Sequence, residues 1–496
     1  MSDKDQRRKP SWWASLIPFA VLVGLLFLVI KGFGADALDG GSQVALLLST
    51  GVVTVISMLF FKVPWSDLEK AISDNIRSIG SAIVILILIG AISGSWMVSG
   101  IVPTLIHYGL KILSPKIFLL AVCLVCALVS LMTGSSWTTI ATIGVAFLGI
   151  GVALGFPVGW TAGAIISGSY FGDKISPLSD TTILASSTTG TPLFTHIRYM
   201  MITTVPSMTI ACIIFLVASL MHVPSDSVQV EGFSNALKGA FTISPWLLLV
   251  PVATGYLIYR KLPAMLTLMA AALMAGVAAL FAQPDIIAGI GSGAPDSLDF
   301  HNGFRGLFIT FYGDTAVQTG DAVLDDLVLT SGMCGMLSTV FLIICAATFG
   351  GAMTGSGMIQ SITEMLTRRI SKRTPLVAST VATGVFADMV TGDQYLSIIL
   401  TANLYKDLYS EKGYESRLLS RATEDSATVT SVLIPWNSCG MTQATVLRVP
   451  TLEYLPYCFF NIISPLMSIC IAAIGYKVFR SEKLDTEPVS PQSSCM

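Results

Sequence analysis

Residues 168–190 read GSYFGDKISPLSDTTILASSTTG, and this polar stretch lies between long apolar segments. It contains three charged residues, Asp173, Lys174 and Asp180, together with Pro177 and several Ser and Thr hydroxyls. Charged groups at the depth of a membrane are costly and usually mark a substrate or ion path. We therefore expect the function of the chain to centre on this stretch.

The composition predicts that the chain lies in a membrane. Of its 496 residues, 53% are hydrophobic and 12% are charged, whereas soluble domains carry roughly 25% charged residues. Several apolar runs reach the ~20 residues that a helix needs to cross the hydrocarbon layer. The sequence thus predicts an all-α polytopic membrane protein. A net charge of −2, without a basic domain, gives no support to nucleic-acid binding.

Three segments, 160–190, 394–410 and 413–447, contain too many polar and helix-breaking residues to be simple lipid-facing spans. Backbone of this kind is stable in a membrane only where it is buried in protein or lines a wet cavity. We interpret these segments as re-entrant hairpins or broken helices. One hairpin is expected near 137–190 and the other near 394–447.

The basic residues predict an orientation, because Lys and Arg concentrate in cytoplasmic loops. Basic residues occur near both termini, after the second apolar segment, and around residues 260 and 370. These positions are expected in the cytoplasm, so both termini are expected there as well. The loop 283–325 is rich in Asp and is expected outside. Lys111 and Lys116 also fall outside in this scheme and fit it less well.

An offset of 257 to 259 residues relates the two halves of the chain. The matched pairs are Gly100 and Gly357, Gly134 and Gly392, Pro177 and Pro435, Pro192 and Pro450, and Pro206 and Pro465. Several matches in the same order favour an internal duplication. The short helix that follows Gly100 is expected outside, whereas the helix that follows Gly357 is expected inside. The two halves are therefore expected to be inverted relative to each other. Inverted repeats with interrupted segments are typical of secondary transporters whose site lies between them.

These arguments predict the organisation of the chain from end to end. The expected parts are a cytoplasmic tail (1–12), a first inverted repeat (13–222), an external linker (223–242), a second inverted repeat (243–480) and a disordered cytoplasmic tail (481–496).

The same offset places Ser179-Asp180 opposite Asn437-Ser438. Each position combines a nearby proline with short side chains that offer oxygen atoms, which suit a hard cation such as sodium. Broken helices add exposed backbone carbonyls to such a site. The candidate sodium ligands are Ser176, Ser179, Asp180, Thr181, Thr133, Asn437 and Ser438.

Competition between a proton and a sodium ion for one carboxylate is enough to produce an antiporter. The candidate proton-coupling acids are Asp173, Asp180, Asp388, Asp393, Glu424 and Asp425. An alternative for the first two is an ion pair with Lys174 that only holds the segment together. Arg417 and Arg421 are candidate structural partners for Glu424 or Asp425.

The sequence signatures of ATP-driven proteins and of hydrolases are absent from the chain. A Walker loop does not occur, so ATP drive is unsupported. The GxSxG and HExxH signatures do not occur either, which weakens an intramembrane hydrolase. We expect that the chain is not an enzyme. We expect no cofactor apart from sodium as a transported ion.

The stretches GSYFGDKISPLSDTTILAS, THIRYMMITTVPS, TGDQYLSIIL and SRATEDSATVTSVLIPWNSCG closely resemble the NhaC-type sodium/proton antiporter family of bacteria. The resemblance extends from about residue 10 to residue 480. The family is placed in the ion transporter superfamily, whose better-known members have inverted repeats, two hairpins and a dimeric elevator arrangement. The resemblance therefore implies a scaffold domain, a moving transport domain and a homodimer.

In those relatives, short Ser-Asn-Thr motifs at two hairpin tips bind sodium. Here the corresponding residues are Ser179-Asp180-Thr181 and Asn437-Ser438, and the first motif carries Asp in place of Asn. The resemblance thus implies that a titratable group lies in the ion site, which suits proton exchange.

Three functional hypotheses follow. The first is exchange of cytoplasmic sodium for external protons by alternating access in a bacterial inner membrane. The second is an antiporter that couples an organic acid to sodium or protons, because the family includes malate/lactate antiporters; its candidate carboxylate-binding residues are Lys174, Arg198, Arg417 and Arg421. The third is an ion channel, against which the duplicated interrupted segments argue.

Overall fold

The computed structural model describes residues 10–33, 40–222, 227–260, 262–293, 299–320, 322–367 and 372–480. Across these residues the secondary structure is helical apart from two isolated β-bridges. Nine of the described helices are long and apolar enough to cross a membrane, and two bent helix pairs raise this number to eleven. The prediction of an all-α polytopic membrane protein is confirmed.

Both predicted tails fall largely or wholly outside the described residues. The tail 1–12 is described only from Pro10 onward, and the tail 481–496 is not described. Lys261, Arg368 and Arg369, which contributed to the predicted orientation, also lie outside the described residues.

The helices fall into three consecutive groups along the chain. The first group is α1 (Trp12–Phe33), α2 (Gly41–Phe60), α3 (Trp65–Ser78), α4 (Gly80–Val98), α5 (Ile101–Ile112), α6 (Phe118–Thr133), α7 (Ser136–Thr139), α8 (Val145–Ala153), α9 (Val158–Ile175), α10 (Asp180–Thr189) and α11 (Leu193–Met221). The middle group is α12 (Ser227–Ala240), α13 (Leu249–Tyr259), α14 (Ala264–Ala282), α15 (Pro284–Ser292), α16 (Phe300–Tyr312) and α17 (Ala322–Val328). The last group is α18 (Leu337–Gly355), α19 (Met358–Thr367), α20 (Arg373–Thr391), α21 (Gln394–Glu411), α22 (Ser416–Thr423), α23 (Ser438–Leu447), α24 (Thr451–Tyr454) and α25 (Phe459–Ile474).

The helices from α4 to α11 recur in the same order from α18 to α25. Four helices of the first series begin 258 residues before their counterparts, at Ser136 and Gln394, Val158 and Ser416, Asp180 and Ser438, and Leu193 and Thr451. Gly134 and Gly392, which precede the first of these pairs, both have left-handed backbone, with φ of 66° and 67°. The order of elements therefore follows the offset found in the sequence. The inversion of one series relative to the other, and the repeat boundaries, stay predictions.

The chain folds back on itself at Gly134. The start of α6 lies beside the end of α11, where the amide of Leu119 donates to Ser219 Oγ at 3.0 Å. The end of α8 lies there too, because His222 Nε2 is 3.2 Å from the carbonyl oxygen of Leu154. Both ends of the segment 118–153 thus reach the same end of α11. We call this segment the first hairpin and residues 133–136 its turn.

The segment 158–189 does not fold back. Helix α9 begins four residues after Leu154, at the C-terminal end of α11, whereas α10 ends just before α11 begins. These two ends are separated by the length of α11, whose 29 residues span about 43 Å. Helices α9 and α10 therefore form one broken helix, interrupted at residues 176–179. The fold-back expected within 137–190 lies earlier in the chain, at Gly134.

The last group of helices is arranged in the same way. Helices α20 and α21 fold back at Gly392, and Thr380 Oγ1 near the start of α20 lies 2.9 Å from the hydroxyl of Tyr409 near the end of α21. Segment 373–411 is the second hairpin, with its turn at residues 391–393. Helices α22 and α23 form the second broken helix. A π-helical turn (Glu424–Thr428) extends α22, the interruption lies between residues 429 and 437, and α24 and α25 follow.

Proline and capping residues explain why the broken helices stop and restart without reversing. Pro177 cannot donate a backbone hydrogen bond, and it disfavours helical backbone at the residue before it. Ser179 Oγ then accepts from the amide of Thr182 at 3.5 Å and caps the start of α10. Pro435 and the N-cap Asn437 play the same parts in the second broken helix.

Helix α9 packs along α6 at very short range, and this contact positions the first hairpin against the first broken helix. A Cβ atom at Gly168 would lie 2.1 Å from the carbonyl oxygen of Cys123. Small residues allow such close backbone approach between membrane helices.

Candidate functional site

The turn of the first hairpin meets the interruption of the first broken helix, and we call this contact the first junction. A Cβ atom at Gly134 would lie 2.7 Å from the backbone carbon of Leu178, so the two backbones touch. Ser176 Oγ donates to the carbonyl oxygen of Leu131 at 2.9 Å. The amide and hydroxyl of Ser136 donate to Asp173 Oδ2 at 3.1 and 2.7 Å. The carboxylate of Asp173 is thus held against the hairpin turn.

Four helix termini converge at the first junction. Helices α6 and α9 end there, and α7 and α10 begin there. Helix C-termini carry partial negative charge that favours a cation, and helix N-termini carry partial positive charge that favours an anion. Within the turn, Thr133 Oγ1 accepts from the amide of Ser135 at 3.2 Å, and Ser135 Oγ accepts from the amide of Thr138 at 3.2 Å.

A cavity of about 450 Å³ opens directly onto the first junction. Its walls include Thr133 and Ser135 of the hairpin turn, and the connection between α13 and α14 closes another side. The two carboxylates of Asp173 and Asp180 both line it; Asp173 is buried, whereas Asp180 is exposed to the cavity. Ser179 and Thr181 line it as well. Besides Thr133 and Ser176, four predicted site residues therefore lie together around Gly134: Asp173, Ser179, Asp180 and Thr181.

The second junction is formed by the turn of the second hairpin and the end of the interruption in the second broken helix. Ser438 contacts the turn twice: its amide donates to the carbonyl oxygen of Gly392 at 2.7 Å, and its Oγ donates to Asp393 Oδ2 at 3.2 Å. Trp436 Nε1 donates to the carbonyl oxygen of Met389 at 2.6 Å. Asn437 Nδ2 donates to the carbonyl oxygen of Asp388 at 3.0 Å. The second junction is closed by direct hydrogen bonds.

Two buried carboxylates lie at the second junction. Asp388 Oδ2 accepts from Thr430 Oγ1 at 2.9 Å, while its Oδ1 has no hydrogen-bond partner among the described residues. Asp393 caps α21, since its Oδ1 accepts from the amide of Leu396 at 3.1 Å. A half-paired buried carboxylate needs a further partner, such as a proton or a cation. The predicted residues Asp388, Asp393, Asn437 and Ser438 are thus brought together.

A buried ion pair joins the two broken helices. Lys174 Nζ contacts Asp425 Oδ1, and both side chains are fully buried. Lys174 also donates to Ser464 Oγ at 2.9 Å, and Thr203 Oγ1 donates to Asp425 Oδ1 at 3.0 Å. The alternative in which Lys174 pairs with Asp173 or Asp180 is wrong, because Lys174 pairs with Asp425, which lies 251 residues away in the chain.

Arg421 is the second cation beside Asp425. Its Nε lies 3.8 Å from Asp425 Oδ2, and its guanidinium group stacks 4.7 Å from the ring centroid of Tyr199. Asp425 was expected among the proton-coupling acids, and the structure places it between two buried cations. Removing one partner of a buried pair leaves an uncompensated charge, which is strongly destabilising. The contacts of Asp425 therefore favour a structural role.

Glu424 connects the second broken helix to the first junction. Its Oε1 accepts from Thr181 Oγ1 at 3.2 Å, and its Oε2 has no hydrogen-bond partner within the described part of the chain. The residue lies in a π-helical turn, Glu424–Thr428, directly after α22. Such turns occur frequently at functional sites. Thr181 thus contacts Glu424 while it also lines the cavity.

The four basic residues proposed to bind a carboxylate do not converge. Lys174 and Arg421 lie beside Asp425, as described above. Arg198 and Arg417 line a separate pocket of about 300 Å³, and Arg417 forms an ion pair with Glu415. The described lining of the 450 Å³ cavity contains two carboxylates and no basic side chain.

Several residues that hold the site were not singled out from the sequence. They are Ser136, Thr203, Thr430 and Ser464. Ser136 follows a Thr-Gly pair that recurs at residues 391–392, and this was the available signal for it. The other three hydroxyls contact acids from distant segments, which no local pattern indicates.

Comparison with known proteins identifies the family. The sequence model of the Na+/H+ antiporter family matches residues 11–191 and 168–476 of this chain. The chain belongs to the Na+/H+ antiporter family. It is 37% identical to the Na(+)/H(+) antiporter NhaC of Alkalihalophilus pseudofirmus over 86% of this chain and 88% of that protein. It is 33% identical to NhaC of Bacillus subtilis over 87% and 92% of the two chains.

A third relative carries a different name. The malate-2H(+)/Na(+)-lactate antiporter of B. subtilis is 32% identical over 93% of this chain and 95% of that protein. Together these matches confirm the resemblance stated from the sequence motifs. The named relatives are antiporters, which are transporters rather than enzymes. With the apolar helices described above, family membership identifies a multi-pass membrane protein.

Proposed function

We propose that this protein exchanges cytoplasmic sodium for external protons by alternating access. Its family and its NhaC relatives are named for Na+/H+ antiport. The observation that carries the proposal is the first junction, where Asp173 and Asp180 line a cavity beside an interrupted helix. A cavity with two carboxylates and no basic side chain in its described lining attracts a cation and repels an anion.

Sodium binds at the first junction in this proposal. Its ligands are drawn from Ser135, Asp173, Ser179, Asp180 and the carbonyl oxygens at the end of α6. The C-terminal ends of α6 and α9 add partial negative charge at the same place. Interrupted helices in secondary transporters coordinate sodium through such unwound carbonyls and helix C-termini. The second junction, with Asp388 and Asp393, is the equivalent position in the second series of helices.

Protons compete with sodium for the carboxylates at these junctions. Asp173 and Asp180 face the cavity, so they exchange protons with the solvent that enters it. Asp388 and Glu424 each have one oxygen without a partner among the described residues, which a proton would satisfy. A carboxylate that holds either a proton or sodium, but not both, enforces exchange.

The position of the cavity supports sodium entry from the cytoplasm. It is bounded by the connection between α13 and α14, next to Arg260, which the distribution of basic residues places in the cytoplasm. In this proposal, the first junction is open to the cytoplasm in this conformation and takes up sodium. The proposal includes a bacterial inner-membrane location with cytoplasmic termini, two inverted repeats, and a homodimer with an elevator-like transport domain.

The test uses purified protein in liposomes that contain a pH-sensitive dye. A sodium gradient alone should drive proton movement that saturates with sodium concentration. The direction of this movement should stay the same when the membrane potential is clamped. Proton movement that appears only after malate or lactate is added would show that the organic-acid alternative is right. Sodium current without proton exchange would instead indicate a channel.

The organic-acid alternative has one observation in its favour, the 32% identity to the malate-2H(+)/Na(+)-lactate antiporter. The positions of the basic residues argue against it. Lys174 and Arg421 lie beside Asp425, and Arg198 and Arg417 lie in another pocket, so none is among the described residues that line the cavity. A carboxylate substrate in that cavity would face two acids.

A further inference from the structure

A second pocket, of about 300 Å³, lies at the ends of two apolar helices. Its lining combines the first turns of α11, the start of α22 and the segment that follows α25. Helix α11 qualifies as a membrane span, and α25 does so together with the preceding turn of helix. A pocket where spans end lies at the level of the membrane surface. It shares no lining residue with the cavity at the first junction.

The pocket has an excess of positive charge. Arg198, Arg417 and Lys477 line it from three different segments. Arg417 pairs with Glu415 and stacks 4.3 Å from the ring centroid of Phe479. Arg198 is exposed and forms no ion pair within the described part of the chain. Planar guanidinium groups bind phosphate oxygens through paired hydrogen bonds.

The backbone of the pocket is held in a strained shape. Lys477 has left-handed backbone, with φ of 51°, which is uncommon for a residue other than glycine. The hydroxyl of Tyr199 donates to the carbonyl oxygen of Lys477 at 2.9 Å, and the amide of Glu415 donates to that of Phe479 at 3.4 Å. Strained residues that are fixed by their surroundings cluster at ligand sites.

Exposed apolar side chains surround the pocket. Phe194 is 68% exposed and Tyr476 is 50% exposed, and both neighbour pocket residues in the chain. Further along α11, Met201 and Val205 are exposed as well. Aromatic residues at this level are typical of the interface between lipid headgroups and acyl chains. A ligand with a phosphate group and acyl chains would match both the charge and the apolar rim.

We propose that this pocket binds a phosphate-bearing anion, supplied by the headgroup of an anionic phospholipid. Basic pockets between membrane helices on the cytoplasmic side bind such headgroups. Arg198 and Arg417 contact the phosphate, and the acyl chains lie along the exposed face of α11. The site is separate from the ion cavity and does not depend on the proposed exchange activity.

The test measures lipid binding directly. Purified protein is mixed with phosphatidylglycerol or phosphatidylcholine in detergent, and bound lipid is counted by native mass spectrometry. Phosphatidylglycerol should be retained in preference, and Arg198→Gln should weaken its binding about fivefold, because one basic contact is lost. Arg198→Lys should weaken binding less than Arg198→Gln, because it keeps the positive charge but loses the paired hydrogen bonds. Lys412→Gln is the matched control, since Lys412 is exposed near α22 but does not line the pocket.

Competition separates the sources of phosphate. If glycerol phosphate fails to displace phosphatidylglycerol, the result supports a lipid as the source of the phosphate. If glycerol phosphate binds alone and displaces the lipid, the pocket is still a phosphate site, but its ligand is soluble. Three results would each overturn the proposal. They are equal retention of both lipids, equal lipid binding by the Arg198→Gln and Lys412→Gln variants, and displacement of the lipid by malate as effectively as by glycerol phosphate. Arg198 is exposed, so its substitution leaves folding intact, which gel filtration verifies.

Discussion

The two junctions share one backbone design and differ in whether they are closed. In each turn a threonine hydroxyl accepts from an amide two residues later at 3.2 Å, at Thr133 and at Thr391. A left-handed glycine follows, and then a residue that caps the next helix. The first junction opens onto a cavity of about 450 Å³, whereas hydrogen bonds from Ser438 close the second.

Side chains at equivalent positions explain the difference. The second junction is tied to its hairpin by Trp436 Nε1 and Asn437 Nδ2, which both donate to backbone carbonyls. At the offset of 258 residues, Leu178 and Ser179 occupy these positions in the first junction. Leucine has no donor, and the serine side chain is too short to replace the asparagine amide. The first junction therefore lacks the counterparts of these two bonds, and its hairpin is joined to the broken helix by Ser136 and Ser176 instead.

The acid and the hydroxyl also exchange places between the junctions. Asp393 in the second turn bonds to Ser438 of the broken helix. The equivalent positions in the first junction are Ser135 and Asp180, and no hydrogen bond joins them among the described residues. The repeated backbone thus provides two similar sites, and the side chains determine which of them opens onto the cavity.

The largest expected effect concerns Asp180, the acid of the first junction that is proposed to bind sodium and protons. Asp180→Asn removes a charge that sodium and protons share, so exchange in liposomes should fall to background. Asp407→Asn is the matched control, because Asp407 is exposed on α21 away from both junctions. Activity in the Asp180→Asn variant, with normal yield of folded protein, would remove Asp180 from the ion site.

The next effect tests whether the ion pair of Lys174 and Asp425 holds the two broken helices together. Lys174→Met leaves Asp425 buried with Arg421 at 3.8 Å as its remaining cation. Breaking a buried pair costs about 3–5 kcal/mol of the free energy of unfolding. Thermal unfolding in detergent should show a large loss of stability.

The double variant Lys174→Met/Asp425→Asn provides the control for this pair. Its loss of stability should be clearly smaller than the sum of the two single losses, because contacting residues are not additive. Additive losses would mean that Lys174 and Asp425 stabilise the protein independently of each other.

A smaller effect tests the close contact at the open junction. Gly134→Ala introduces a Cβ atom 2.7 Å from the backbone of Leu178, and it also places alanine in left-handed backbone. Gly190→Ala has the same left-handed backbone but nothing within 4 Å of the new atom. The shared conformational cost is about 1–2 kcal/mol. Gly134→Ala should lose more stability than Gly190→Ala and should slow exchange, as measured by melting and by proton flux.

The smallest expected effect concerns the closed junction. Ser438→Ala removes a donor to Asp393 Oδ2, a hydrogen bond to a charged group worth about 1.5–3 kcal/mol. The apparent KM for sodium should change while the maximal rate stays near that of the wild type. Ser187→Ala, on the exposed face of α10, serves as the control. An unchanged KM would indicate that the second junction does not contribute to sodium affinity.

Local sequence patterns predicted much of the molecule because their causes are local. Apolar runs produced the spans, and Pro177 and Pro435 marked the interruptions of the broken helices. Ser179 and Asn437 were selected as short oxygen donors, and both cap the helices that restart there. The position of the fold-back was missed, because Gly134 and Pro177 both interrupt a helix, yet only tertiary contacts show which of them reverses the chain.

The sequence by itself determined the membrane class, the repeated order of elements and the residues at both junctions, because these depend on hydrophobicity, backbone stereochemistry and spacing. Only the tertiary structure decided the partner of Lys174, since Asp425 lies 251 residues away and α9 must first pack beside the second broken helix. It also decided that the first junction is open and the second closed. That difference depends on whether side chains from one segment reach the backbone of another, which no single stretch of sequence records.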